Sequence, residues 1–254
     1  MLGLGNILTR YSVPYGILPH VDIPDCKLAF YADKPSYYTL VPSDLQFWYD
    51  QANAFSDAIA ASAALANNRP TVSNAGTTDA AVIFDGSDDR LDFVDVGGAV
   101  EVTLDTSTNG WTVIIIATSD DWDGGQQAYV GDKDSSNHFI RHNSGANQFT
   151  VKVAAEGNHI DLDSPASLTD GQYYCVQVDC TADGNTITLY IDGTAQADTE
   201  SLGNNGKDLL IESIGHRSGA DFVDGGIKSI LAFDRILTSD ERAKINTWAA
   251  PYIG

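Results

Sequence analysis

The stretch Ser119–Gln126 reads Ser-Asp-Asp-Trp-Asp-Gly-Gly-Gln and sets one indole among three carboxylates and an amide. An aromatic ring can stack on the face of a sugar while carboxylates and amides take its hydroxyls. Asp120, Asp121, Trp122, Asp123 and Gln126 are therefore the candidate glycan contacts. The plain alternative is a tryptophan that caps a sheet edge. Asp120, Asp121 and Asp123 also supply hard oxygen donors, which makes them the candidate calcium ligands. No other cofactor is expected.

A second acidic stretch, Phe84-Asp85-Gly86-Ser87-Asp88-Asp89, has part of a calcium-loop pattern but lacks the distal glutamate. We read it as a tight turn in which Asp85 and Asp88 satisfy backbone amides. The histidines are His20, His138, His142, His159 and His216, and none has the partners of a zinc pattern. There is no G-x-S-x-G elbow, P-loop or H-E-x-x-H motif. Asp161 and Asp163 have the alternating spacing of a glycosidase strand, but cleavage needs two carboxyls with opposed pKa values. The pair reads better as a strand end, and no catalytic residue is assigned.

The elements that must position these residues are strands. Gly110–Ala117 is a continuous apolar run, expected to be buried on both faces. Lys27–Ala32, Asp79–Asp85, Arg90–Val94, Ala128–Val130, His138–His142, Gln148–Ala154, Gln172–Cys180, Thr186–Ile191 and Leu209–Ile214 read as further strands, with Asp192-Gly193 a hairpin turn. The Ala-rich run 52–67 reads as a helical turn or a loop. In Ile227–Phe233 the residues alternate, so Ile227, Leu231 and Phe233 should share one core with Trp248. Thr238 and Glu241 form a capping box for a short helix that Pro251 ends. A dozen or so short strands imply an antiparallel sandwich.

The chain has 254 residues and a net charge of −21, with Lys+Arg 14 against Asp+Glu 35. That balance repels nucleic-acid phosphates and anionic membranes, so neither is an expected partner. Cys26, Cys175 and Cys180 form an odd set. Cys175 and Cys180 lie too far apart along one strand for a disulfide, so buried thiols and folding in a reducing cytoplasm are expected. Met1–His20 lacks the charged and continuous apolar regions of an export signal. Residues 1–25 are apolar and Gly/Pro-punctuated. Leu2, Leu4, Ile7, Leu8, Tyr11, Val13 and Tyr15 make them an extended docking arm, or else an arm laid along the domain's own surface.

Ala232-Phe233-Asp234-Arg235-Ile236-Leu237-Thr238, followed by Asp240-Glu241-Arg242, resembles the C-terminal signature of laminin-G-like, concanavalin A-like jelly-roll domains. Trp48, Asp50, Arg69, Pro70 and Phe84-Asp85-Gly86 with Asp88, Asp89 and Leu91 resemble the N-terminal half of the same family. The resemblance implies an all-β concanavalin A-like sandwich over 26–254, with a short C-terminal helix and the arm at 1–25. It also implies a structural role for the 84–89 turn. Met1-Leu-Gly-Leu-Gly-Asn-Ile-Leu8 resembles the start of structural proteins of tailed phages, marine ones especially. That likeness implies a non-enzymatic virion protein, assembled in the host cytoplasm and displayed on capsid or tail, where it reinforces the particle and adheres to surfaces. The implied partners are a capsid or tail protein through the arm, further copies of the chain (a trimer), and host glycans. The rival is a carbohydrate-binding adhesin or tail-fibre module, and a weaker one a glycan-cleaving enzyme.

Overall fold

The computed structural model describes residues 17–41, 43–52, 60–62, 68–95, 98–99, 101–105, 109–143, 148–153, 159–164, 168–182, 186–200 and 208–254. The arm residues Leu2, Leu4, Ile7, Leu8, Tyr11, Val13 and Tyr15 lie outside them.

The described residues build an antiparallel β-sandwich. One layer runs, in spatial order, Cys26–Tyr31, Asp224–Phe233, Trp111–Ala117, Tyr174–Cys180, Ile187–Ile191 and Thr194–Glu200. The other runs Tyr38–Val41, Asp44–Tyr49, Ala60–Ser62, Leu91–Asp95, Ser213–Ile214, Gln127–Gly131, Phe139–Asn143, Gln148–Lys152 and His159–Asp163. Ala60–Ser62 thus corrects the expected helical turn or loop. It pairs with Phe47–Tyr49 on one side and Asp92–Val94 on the other, so two strands that would otherwise be edges draw it into the ladder.

Trp111–Ala117 is buried throughout, as expected for a strand covered on both faces. Trp111, Val113 and Ile115 enter the core between the sheets, while Ile114 and Ile116 enter a second core outside them. The helix Ser239–Ala249 roofs that outer core with Ile245, Trp248 and Ala249. Its start has the expected capping box between Thr238 and Glu241. Leu231 and Phe233 meet Trp248 there, but Ile227 lies in the inner core. A register shift opposite Ile116 and Ala117 reverses the alternation between Ile227 and Leu231.

Ile23 is buried in the outer core, and Ile17 packs against it, so the described end of the arm is part of the domain. Cys175 faces the outer core and Cys180 the inner one, as an odd offset on one strand requires. None of the three cysteines is in a disulfide.

Candidate functional site

Two loops from distant parts of the chain meet at one end of the sandwich. The first leaves Trp111–Ala117 and runs through Ser119–Gln126. The second, Asp221–Val223, leads into the terminal strand. Gln127, itself buried, ties them together. Its Nε2 donates to Ser119 Oγ at 2.8 Å and to the Asp121 carbonyl at 3.2 Å, and its Oε1 accepts the Asp224 amide at 3.1 Å. The Asp120 amide donates to the Asp224 carbonyl at 2.9 Å, and the Ala128 amide to the Asp221 carbonyl at 2.7 Å.

Between the loops lies a cleft of about 450 Å³ lined by Gly86, Asp121, Gly124, Gly125, Gln126, Gln127, Asp221, Phe222 and Asp224. Two of its glycines are closely approached by acidic side chains. A Cβ on Gly124 would meet Asp121 Oδ2 at 2.0 Å, and one on Gly86 would meet the Asp224 Cβ at 2.8 Å. Asp221 sits at φ 53° and is held there by two arginines. Arg141 Nη1 donates to its Oδ2 at 2.8 Å and also to Gln126, and Arg217 Nε donates to the same carboxylate. Phe222 is half-buried; its ring stacks on His216 with centroids 6.0 Å apart. His216 is in turn fixed by Asp92 at 2.7 Å. The cleft therefore offers a braced aromatic ring, two amide side chains and three carboxylates. Burial raises the Asp224 carboxyl above the usual range, and the charges of Asp120, Asp121 and Asp85 add to it.

Asp121 and Gln126 line this cleft, while Asp120 and Asp123 do not and Trp122 cannot. The indole of Trp122 is 1 % exposed. It packs edge-on against His142 at 4.9 Å and Tyr174 at 5.9 Å, so it roofs the inner core and presents no stacking face to a ligand. Burying so large a ring outweighs the polar character of its neighbours. The aromatic residue that lines the cleft is instead Phe222, which the sequence reading did not single out. Its segment, Asp221-Phe222-Val223-Asp224-Gly225-Gly226, has the same signal as the first loop, an aromatic among aspartates before a Gly pair.

Among the described residues the carboxylates close enough together to share an ion are Asp85, Asp88 and Asp89, not Asp120, Asp121 and Asp123. The three belong to one turn, in which Asp85 and Asp89 accept backbone amides. Asp85 Oδ1 accepts the amides of Ser87, Asp88 and Asp89, and Asp89 Oδ2 accepts that of Asp85. Burial opposes ionisation of Asp85, but those amides outweigh it and hold its carboxyl low. Burial, then the charge of Asp85, pushes Asp89 up to about 6. The turn is structural, with Asp89 in the part expected of Asp88. Asp161 and Asp163 accept hydrogen bonds from Thr150 and Gln148 across a strand pair, away from the cleft.

The model of a family described as the concanavalin A-like lectin/glucanases superfamily matches residues 85–241. No curated protein matches the chain. Among solved structures, domain 4 of the extracellular arabinanase AbnA from Geobacillus stearothermophilus, in complex with arabinotriose, superposes with a TM-score of 0.56. Identity is 12 %, over 89 % of this chain and 98 % of that one. A Trypanosoma rangeli sialidase in complex with sialic acid gives a TM-score of 0.53 at 15 % identity, over 91 % of this chain. This chain spans only 34 % of that sialidase. At such identities the likeness is one of fold.

Proposed function

Because the chain belongs to the concanavalin A-like lectin/glucanases superfamily, we propose that it is a non-enzymatic glycan-binding domain whose site is the cleft between the 119–127 and 221–224 loops. The observation that carries this reading is the placement of Phe222. A braced, half-buried ring beside Gln126, Asp121 and Asp224 has the make-up of a sugar subsite, with an apolar face for the ring and a few polar groups for its hydroxyls. A cleft this open suits one or two residues of a longer chain rather than an enclosed substrate.

The test is binding of the full chain to an array of oligosaccharides, repeated with Phe222→Ala. Binding that disappears in the variant supports the site. Undiminished binding by a folded variant places the sugar elsewhere.

We propose as its setting the surface of a tailed-phage particle, on capsid or tail, with residues 1–16 docking on another subunit and a trimer as the assembled form. This rests on the sequence Met1–Leu8 and on the apolar residues Leu2, Leu4, Ile7, Leu8, Tyr11, Val13 and Tyr15. Deleting residues 1–16 should leave the sandwich folded and abolish assembly or particle binding. Full assembly by the truncated chain would end the docking-arm reading.

A further inference from the structure

We propose that the cleft excludes acidic sugars and takes neutral or amine-bearing ones, an inference that rests on the glycan-binding reading of this site. Three carboxylates line the cleft, those of Asp121, Asp221 and Asp224. Asp221 is neutralised from behind by Arg141 and Arg217. Asp121 and Asp224 have no ion pair among the described residues. Burial, then the charges of Asp120, Asp121 and Asp85, raises the Asp224 carboxyl, so these carboxylates lie close enough to act on one another.

Among the described residues no cation lines the cleft. Arg141 and Arg217 bond to lining residues without lining it themselves. Both guanidiniums lie over the Phe139 ring, at 4.8 Å and 4.7 Å from its centre, and both spend hydrogen bonds on Asp221. Arg141 also donates to Gln126, so the cleft meets the amide and not the guanidinium. Carboxylated sugars are recognised by forked or clustered cations. Here a sialic acid or uronate would bring a further negative charge against Asp121 and Asp224 with nothing to receive it. A protonated amino sugar would find two acceptors already in place.

The experiment uses the full chain in EDTA and compares matched ligands: neutral oligosaccharides, their sialylated counterparts, chitosan oligomers and their N-acetylated forms. Sialylation should weaken binding by about tenfold, the order expected for one unpaired like-charge contact in a partly desolvated site. The free amine should tighten binding over the acetylated form, and raising the salt should shrink both differences. Asp121→Asn with Asp224→Asn should reduce the discrimination, and Asp121→Asn alone should reduce it in part. Acidic sugars bound as well as neutral ones through Phe222, with EDTA or with added calcium, would overturn the charge selection and leave the glycan site standing. Discrimination that is insensitive to salt and to Asp121→Asn would also overturn it. Binding of no glycan at all would defeat the parent reading, and this one with it.

Discussion

The guanidinium of Arg235 grips the carboxylate of Glu241 with both terminal nitrogens, Nη2 to Oε1 at 2.7 Å and Nη1 to Oε2 at 2.8 Å. The same carboxylate accepts the Thr238 amide at 2.9 Å, so one side chain closes the capping box and clamps the loop before the helix. The hydrogen bond from Arg235, which outweighs the opposing effect of burial, lowers the Glu241 carboxyl to about 2. The folded pKa is below the unfolded one. The clamp is therefore complete above about pH 4.5 and is lost as pH falls towards 2. Glu241→Gln should cost about 1–2 kcal/mol at pH 7, after allowance for solvent at this partly exposed pair, and almost nothing near pH 2. Urea unfolding at both pH values checks this; an equal cost at both would show that the charge is not involved.

Trp248 roofs the outer core edge-on to Tyr31, with ring centres 5.9 Å apart. Trp248→Ala should cost about 3–5 kcal/mol. A loss below about 1 kcal/mol would make the helix a peripheral appendage.

His142 is fully buried, and neither ring nitrogen has a hydrogen-bond partner among the described residues. Burial lowers its pKa from 6.5 to about 4, against a small opposing pull from Asp123. Between those values the unfolded chain binds a proton that the folded one refuses, so stability falls as pH drops through the window. The two values bound the loss at about 3 kcal/mol. His142→Phe should flatten that part of the stability profile. Parallel profiles for the two proteins would remove His142 as the cause.

Gly86 has φ 72°, and the Asp224 side chain stands where its Cβ would go. Gly86→Ala should destabilise by about 1–3 kcal/mol from backbone strain and the clash together. It should also weaken glycan binding, because Asp224 would have to move. A stable variant with unchanged affinity would separate the 84–89 turn from the cleft.

Local signals made most of the fold legible. The apolar run at 111–117, the Asp192-Gly193 turn and the Thr238–Glu241 box each concern residues close in sequence, and each appears as expected. The face occupied by Ile227 was not legible, because a bulge depends on the partner strand. The strand at Ala60–Ser62 needed two neighbours, from 47–49 and 92–94, to define it.

The cleft divides in the same way. The residue types at 119–126 point to sugar chemistry by themselves, since an aromatic among carboxylates and amides has that character wherever it sits. Which aromatic lines the cleft is another matter. Trp122 is drawn inward by the apolar surface of Tyr129, Phe149 and Tyr174, and Phe222 comes to the opening from about a hundred residues further along. The sequence alone determined the sandwich, its helix and the acidic character of its loops, because periodicity, capping and charge are local properties. Only the tertiary structure decided that Asp121 and Asp224 share one cleft that no cation among the described residues lines, because Gln127 joins two loops whose separation along the chain conceals their contact.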